Sequence, residues 1–237
     1  MAETTSTNDL VVAAARAGEP SGLVVVAESQ TGGRGRLDRS WESPPRAGLT
    51  FSLLLRPRGV PAARLGWLPL LVGAAAAQAL ADLCDLDVVV KWPNDLLVGD
   101  RKVAGVLAEV AGDAVVVGLG INVLTTRAEL PTEAATSLAL ESRHPVDRTP
   151  VLLAVLRAVG PAYTAWTGAG GDPAAVAAQY RDRCVTVGRA VRVLLPGQPA
   201  VVGTAVAVDD DGRLVVRDDA GRETALTAGD VVHVRSA

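Results

Sequence analysis

The sequence predicts an α/β protein of the α+β type, with a mixed β-sheet flanked by helices and a small β-barrel at the C-terminal end. Strands and helices are intermixed along the first 184 residues and include at least one hairpin, which is typical of a mixed sheet covered by helices. After Cys184 only short alternating strands follow, separated by turns rich in Gly, Asp and Pro, which favours a small barrel. We therefore predict two domains, residues 1–184 and residues 185–237.

Each element of the first domain has its own signal. Apolar residues with helical spacing predict helices at residues 8–17, 62–83, 133–140, 149–166 and 173–183. Short apolar runs predict strands at residues 23–27, 49–55, 88–90, 102–110 and 114–123. Gly112-Asp113 joins the last two strands as a hairpin, and the Gly- and Arg-rich stretch 31–45 predicts a long loop. In the second domain, strands are predicted at residues 185–195, 200–208, 213–217, 223–225 and 231–234.

The composition restricts the classes of function. A chain of 237 residues with 49% hydrophobic residues can bury a large core, which argues against disorder. A net charge of −3 argues against a surface that binds nucleic acid generally, although it leaves room for a local basic cluster. Two distant cysteines and an N-terminus without an export signal predict a cytoplasmic protein. The longest apolar run, 67–81, is too short to cross a bilayer and predicts a buried helix.

Lysine is rare in this chain, and its position is informative. Only Lys91 and Lys102 occur among 23 lysine and arginine residues, and both lie in one short stretch. A compositional bias towards arginine explains why other lysines are missing, but it does not explain why these two remain. A compact ammonium on a flexible stem can follow a charge that moves during a reaction more freely than a planar guanidinium can. The two lysines therefore indicate a site that handles a carboxylate or a phosphate.

Two polar motifs precede this stretch. Ser6-Thr7-Asn8 stands before the first helix, where hydroxyl and amide groups can bond a ligand, although alone it is better explained as a helix cap. The segment Gln30–Arg36, followed by Arg39 and Trp41, combines glycines that allow close approach, arginines that can clamp phosphates and an aromatic face. A solvated basic loop, or a loop that binds nucleic acid, explains this second motif about equally well.

Two further motifs lie at strand ends. Lys91-Trp-Pro-Asn-Asp95 leaves a buried strand, so Lys91 can neutralise a carboxylate beside a phosphate, whereas Asp95 could hold a metal, support Lys91 or close a turn. Gly118-Leu-Gly-Ile-Asn122 can admit a ligand, or it can be a simple bulge. No histidine or cysteine pattern predicts zinc, and no metal ligands are assigned.

Taken in order, these motifs resemble those of the biotin protein ligases. The resemblance extends over about residues 4–235 and implies a catalytic domain like that of class II synthetases, followed by an SH3-like barrel. It also implies a ligase that uses ATP and Mg²⁺ to convert biotin into the acyl-adenylate biotinyl-5′-AMP. The biotinyl group would then pass to a lysine of a biotin carboxyl carrier domain.

The resemblance assigns roles to individual residues. Lys91 and Arg36 are expected to be catalytic, with Lys91 bridging the biotin carboxylate and the α-phosphate. The residues expected to bind biotin are Ser6, Thr7, Asn8, Gln30, Gly33, Arg34, Gly35, Arg36, Lys91 and Gly105. The residues expected to bind ATP are Arg36, Arg39, Trp41, Lys91, Asn94, Lys102 and Asn122, with Trp41 stacking on the adenine.

The chain departs from the family pattern at Asp38, where relatives usually have glycine, and a carboxylate there could weaken phosphate binding or orient an arginine. No helix-turn-helix segment precedes the first motif, so DNA is not an expected partner. A membrane is not expected either, because the longest apolar run is too short to span one. We expect a monomer or a weak homodimer. The alternatives are a lipoate or octanoate ligase or transferase on the related fold, and a non-catalytic regulator that responds to biotin.

Overall fold

The computed structural model describes residues 1–36 and 39–234. The helices are α1 (Thr7–Arg16), α2 (Trp67–Cys84), α3 (Leu138–Glu141), α4 (Arg148–Gly168) and α5 (Ala174–Arg183), with a 3₁₀ turn at Ala62–Arg64. The first strands are β1 (Glu3–Thr4), β2 (Val24–Ala27), β3 (Ser29–Gln30), β4 (Gly48–Leu55), β5 (Val88–Lys91), β6 (Asp95–Val98), β7 (Arg101–Ala111) and β8 (Ala114–Asn122). The last strands are β9 (Ala190–Leu195), β10 (Gln198–Val208), β11 (Leu214–Arg217), β12 (Glu223–Leu226) and β13 (Asp230–His233).

The main sheet has six strands in the order β2-β4-β8-β7-β6-β5. All of its neighbouring strands are antiparallel, and parallel pairing between named strands is confined to β1 and β3, which form a separate two-stranded sheet. Every residue of β4 and β8 is buried, because these central strands are covered on both faces. Their nearly continuous apolar sequences fit this position. Helices lie against this sheet, so the predicted α+β class is confirmed. The sheet is antiparallel rather than mixed as predicted, because short turns reverse the chain between β5, β6, β7 and β8.

Helix α2 lies at the centre of the hydrophobic core. Its four consecutive alanines, residues 74–77, are at most 2% exposed, and their small side chains allow the helix to pack closely against the sheet and against α4 and α5. The stretch Ala62–Cys84 is long and apolar enough to cross a membrane, but 72% of its most apolar window is buried within the protein. The predicted buried helix is thus confirmed.

The C-terminal strands form an open sheet rather than the closed barrel that the sequence predicted. Their order is β12-β11-β10-β9-β13, and the edge strands β12 and β13 do not pair with each other within the described part of the chain. The inward side chains of this sheet, such as Val191, Val193 and Val216, join the same hydrophobic core as α2. Because the main domain covers the apolar face, the sheet buries it without closing on itself.

The structure also contains elements that the sequence did not predict. Strand β6 follows Pro93-Asn94 directly and was concealed by the turn signal of those residues. Strands β1 and β3 are only two residues long, too short for any alternation to be visible. Helix α3 covers Leu138–Glu141, whereas the prediction extended from residue 133 to residue 140.

His233 on β13 lies near the main sheet, and its pKa is lowered there. Its Nε2 lies 3.4 Å from Oγ1 of Thr186. Burial, followed by the positive charges of Lys91 and Arg189, lowers the pKa of His233 to about 4, and the opposing effect of Asp100 is smaller.

This shift predicts how stability depends on pH. The unfolded chain takes up the proton near the ordinary pKa of about 6.5, whereas the folded chain takes it up only near 4. The free energy of unfolding should therefore fall as the pH decreases through this window. In urea unfolding at about pH 7.5 and about pH 5, His233→Gln should lose less stability than the wild type, by on the order of 1 kcal/mol after allowance for solvent screening. An identical loss in both proteins would contradict the prediction.

Candidate functional site

One cleft lies on a face of the main sheet, between α1, the loop after β3 and the C-terminal sheet. Most of the residues that the sequence analysis assigned to a site line it. They are Ser6, Thr7, Asn8, Gln30, Arg34, Gly35, Arg36, Arg39, Trp41, Asn94, Lys102 and Gly105. The four motifs, which are far apart in the chain, thus contribute to one site, although not with every residue that was predicted.

Hydroxyl and amide groups form one end of the cleft. Ser6 caps α1 by accepting a hydrogen bond from the backbone N–H of Asp9, so it acts as a helix cap and also lines the cleft. Thr7 donates to Oε1 of Gln30 from its backbone N–H at 2.7 Å and from its hydroxyl at 3.1 Å. These bonds fix which atom of the Gln30 amide is the acceptor, and they leave its NH₂ group as the donor.

Ser52 on β4 supports this polar end from behind. It is fully buried, and its hydroxyl lies 2.7 Å from Oγ1 of Thr7 and 2.6 Å from Oδ1 of Asn8. Nδ2 of Asn8 donates to Glu109 on β7 at 2.8 Å. The side-chain amide of Asn8 is therefore held at both ends, which fixes its orientation towards the cleft.

The floor of the cleft is a strip of the sheet that lacks side chains. Gly105 on β7 pairs with Gly120 on β8, and the same row continues to Asp95 on β6 and to Thr50 on β4. Gly118 lies two residues along β8, on the same face as Gly120. A Cβ atom at Gly118 would collide with the amide of Asn8, and one at Gly120 would collide with the indole of Trp41. Glycine is required here because other groups occupy the space directly above the backbone.

Trp41 lies on this strip and is partly exposed. Its indole Nε1 has no hydrogen-bond partner among the described residues, although a buried donor is normally paired. The ammonium of Lys102 lies 5.8 Å from the centre of the ring, within the range of a cation–π contact worth about 0.5–1 kcal/mol. The ring is therefore held by modest contacts that a ligand can replace.

Three of the four cations in the cleft are paired with carboxylates. Arg34 binds Asp9 at 2.5 Å and Glu109 at 3.2 Å, and the hydrogen bond to Asp9 raises the pKa of Arg34. Lys102 binds Asp95 at 2.6 Å. The third pair, between Arg39 and Asp230, joins the loop to the C-terminal sheet, and its hydrogen bond raises the pKa of Arg39. Exposed ion pairs of this kind contribute at most about 1 kcal/mol each, so an anionic ligand can replace a carboxylate at low cost.

Arg36 differs from these three cations. Its Nη1 donates to the neutral Oδ1 of Asn94 at 3.3 Å, and it forms no salt bridge within the described part of the chain. Burial is the largest effect on its guanidinium and lowers the pKa of Arg36, against the smaller opposing influences of Asp95 and Asp230. A desolvated cation with only a neutral partner is a strong site for an anion, because an opposite charge offsets the cost of its burial.

Some predicted residues lie elsewhere. Lys91 ends β5 outside the cleft lining, and its charge acts on His233 of the C-terminal sheet. Asn122 is buried and donates to the backbone carbonyl of Thr136 at 2.9 Å, so it fixes the segment before α3. Gly33 does not line the cleft either, but a Cβ there would collide with the backbone of Trp41. Asp38 lies outside the described residues.

Three further residues, Ser52, Glu109 and Asp230, belong to the site although no sequence motif indicated them. Ser52 and Glu109 lie inside strands whose apolar character hid them, although an isolated polar residue in a buried strand is itself a signal. Asp230 lines the cleft together with Gly229, but nothing in its local sequence connects it with Arg39. Within residues 1–36 and 39–234, no group of three His, Cys, Asp or Glu side chains could hold a metal ion.

Comparison with known protein families is consistent with this geometry. Residues 2–123 match the Biotin/lipoate A/B protein ligase family, and residues 186–234 match the Biotin protein ligase C terminal domain. Biotin–acetyl-CoA-carboxylase ligase of Mycobacterium tuberculosis is 41% identical over 99% of this chain and 88% of its own length. The bifunctional ligase/repressor BirA of Bacillus subtilis is 31% identical over 85% of this chain, which spans 63% of that relative.

A solved structure is also similar. Biotin protein ligase from Aquifex aeolicus, in complex with biotin and ATP, has a TM-score of 0.83 and 30% sequence identity, and the match covers 100% of this chain and 97% of the other. The similarity therefore includes both the main sheet and the C-terminal sheet.

The glycine strip yields a prediction about Trp41. An alanine at position 120 would overlap the indole, so Gly120→Ala should displace Trp41 towards solvent. The other three tryptophans, at positions 67, 92 and 166, are at most 1% exposed, so quenching of tryptophan fluorescence by acrylamide reports mainly on Trp41. Quenching should increase in Gly120→Ala. It should stay at the wild-type level in the control Gly118→Ala, which disturbs Asn8 instead. Equal quenching in both variants would count against the predicted contact.

Proposed function

The chain belongs to the biotin protein ligase family, and on this premise we propose that it activates biotin with ATP and transfers it to a lysine of a biotin carboxyl carrier domain. It is an enzyme, a biotin–acetyl-CoA-carboxylase ligase. One observation carries the proposal: neutral hydroxyl and amide groups line one end of the cleft, and a cluster of cations lines the same cleft beside them. The first suits a neutral, polar ring, and the second suits anions.

The polar end of the cleft holds the ring of biotin. A cyclic urea offers one carbonyl acceptor and two N–H donors, which match the hydroxyls of Ser6 and Thr7 and the amides of Asn8 and Gln30. Because Ser52 and Glu109 already fix the amide of Asn8, little entropy is lost when the ring binds. Because Gly118 has no side chain, the amide of Asn8 can lie against the sheet and face the ring from that side.

The cationic end holds the reacting anions. The carboxylate oxygen of biotin attacks the α-phosphorus of ATP, and the bond from this phosphorus to the bridging oxygen breaks, which releases pyrophosphate. Two negative groups must approach each other in this step, so cations aimed at them lower the barrier. We assign this role to Arg36 and Lys102, since both line the cleft, and Lys102 replaces Lys91 as the lysine that bridges carboxylate and α-phosphate. Arg39 binds the outer phosphates, and Trp41 stacks on the adenine.

In the second step, the ε-amine of the carrier lysine attacks the acyl carbon of biotinyl-5′-AMP. An amide bond forms, the bond from the acyl carbon to the phosphate oxygen breaks, and AMP leaves with its charge balanced by Arg36 and Lys102. The lost proton of the amine passes to solvent or to a cleft carboxylate.

Magnesium would be held mainly by the phosphates of the nucleotide. The described residues contain no three-ligand metal group, and Mg²⁺ commonly binds phosphates and water with only one or two carboxylates. Asp95 and Asp230 are the carboxylates in the cleft that suit this role. The ion would reduce the negative charge on the phosphates.

The partner is a carrier domain of a biotin-dependent carboxylase, in accordance with the names of the relatives. A cytoplasmic location, the absence of DNA as a partner and a monomeric or weakly dimeric state stay predictions. The match of residues 186–234 to a biotin-ligase C-terminal domain favours biotin over lipoate or octanoate.

The proposal is tested by isotope exchange between pyrophosphate and ATP with biotin, lipoate or octanoate as the acid. Biotin alone should support exchange, and a purified carrier domain should gain one biotinyl group at its acceptor lysine, as measured by mass spectrometry. Exchange with lipoate instead of biotin would identify a lipoate ligase. Biotin binding without exchange would indicate a regulator.

The two lysines provide a matched pair of variants. Lys102→Ala should lower biotin-dependent exchange by a factor on the order of 100 or more, because it removes a charge contact made in the transition state. Lys91→Ala removes a charge outside the cleft lining and should lower exchange by no more than about fivefold, the equivalent of a surface interaction of about 1 kcal/mol. Circular dichroism checks that both variants are folded. A larger loss in Lys91→Ala than in Lys102→Ala would restore the role to Lys91.

A further inference from the structure

The turn between β5 and β6 contacts the C-terminal sheet on one side and the cleft on the other. Trp92, at the start of this turn, is 1% exposed. Its backbone N–H donates to Oγ1 of Thr186 at 3.0 Å, and its indole Nε1 donates to the carbonyl oxygen of Gly212 at 3.0 Å. Both acceptors lie beyond α5, in the C-terminal part of the chain. Trp92 is therefore held by this region through its backbone and its side chain together.

Two residues that follow Trp92 contact the cations Arg36 and Lys102. Asn94 accepts a hydrogen bond from Arg36, and Asp95 forms the ion pair with Lys102. The turn is also fixed to β7, since the N–H of Val106 donates to the carbonyl of Asn94 at 2.9 Å. Only one residue, Pro93, separates the docked tryptophan from Asn94. A shift of Trp92 must therefore move the partners of both cations.

Thr186 is well placed to control this shift. It is fully buried, and it lies next to a segment that extends the main sheet, because Cys184 bridges to Val90 and the N–H of Val185 donates to the carbonyl of Val90 at 3.0 Å. Its hydroxyl is the acceptor for the N–H of Trp92, a buried donor that would otherwise be unpaired. The hydroxyl has no contact with the cleft, since Thr186 is not among the lining residues.

We propose that Thr186 and Trp92 are positioning residues for the activation of biotin, through which the C-terminal sheet sets Asn94 and Asp95 and thereby aligns Arg36 and Lys102. This inference rests on the proposed function. Arg36 belongs to a loop rich in glycine, so its orientation depends on fixed partners such as Asn94. Misplacement of a reacting or catalytic group by about 1 Å can cost about 100-fold in rate. The C-terminal sheet thus contributes to the first chemical step without touching biotin.

The experiment uses the full chain with Thr186→Val, which keeps the shape of the side chain but removes its hydroxyl, and Thr186→Ser as the matched control that keeps the hydroxyl. Thr186→Val should lower kcat for biotin-dependent pyrophosphate exchange on the order of tenfold, the rate equivalent of one hydrogen bond to a buried donor. Calorimetry should give a biotin affinity close to that of the wild type, and Thr186→Ser should retain most of kcat. A full kcat in Thr186→Val, or an equal loss in Thr186→Ser, would overturn the proposal.

Two further measurements separate positioning from a general loss of structure. In a double-mutant cycle, the effects of Thr186→Val and Lys102→Ala on kcat should be less than additive, because Thr186 acts through the position of the Lys102 side chain. Simple additivity would contradict the proposal. Amide hydrogen exchange at Val106 should be faster in Thr186→Val than in Thr186→Ser, and an equal rate would refute the role of the turn.

The amide measurement does not require catalysis. If the wild type itself fails to support exchange with biotin, the proposed function fails, and the exchange rate at Val106 still decides whether Thr186 holds the turn. If Thr186→Val does not fold, Trp92→Phe takes its place, because it keeps an aromatic ring and removes the bond to Gly212 together with the pyrrole part of the indole. Trp92→Phe should then show the same loss of kcat with unchanged biotin affinity, and a normal kcat would overturn the proposal.

Discussion

The cleft exists because one face of the main sheet lacks side chains at Gly105, Gly118 and Gly120. In each strand a glycine costs about 0.5–1 kcal/mol relative to alanine, so three of them on one face are a real loss of stability. In return, Asn8 and Trp41 can lie directly against the backbone and form the walls of the cleft. The polar end, the cations and the indole all take their positions relative to this strip.

The carboxylates around the strip hold most of the cations of the cleft in place when no ligand is bound. Arg34, Arg39 and Lys102 each have a carboxylate partner, whereas Arg36 has the neutral amide of Asn94 among the described residues. Pairs that are partly exposed contribute little to stability, so they can exchange one anion for another. A half-buried cation with a neutral partner gains more from an incoming anion, which makes Arg36 a strong site for a carboxylate or a phosphate.

The C-terminal sheet is structurally continuous with the main domain. Its inner valines share one core with α2, and the indole of Trp67 donates to the backbone carbonyl of Asp210 at 2.8 Å. The sheet is open because the main domain covers its apolar face, which a closed barrel would have to cover with its own strands. The same packing brings Asp230 to Arg39 and Thr186 to Trp92. Docking of this sheet therefore sets the site as well as the core.

The sequence by itself determined the α+β class, most of the helices and strands and the motifs that meet in the cleft, because these depend on local periodicity, turn chemistry and residue type. It assigned the bridging role to Lys91, whereas Lys102 lines the cleft and Lys91 does not, a difference that depends on how the strands pair. Ser52, Glu109 and Asp230 were equally hidden, because their roles arise from contacts with residues distant in the chain. Tertiary structure decided those points, since register and docking bring together groups that no local pattern connects.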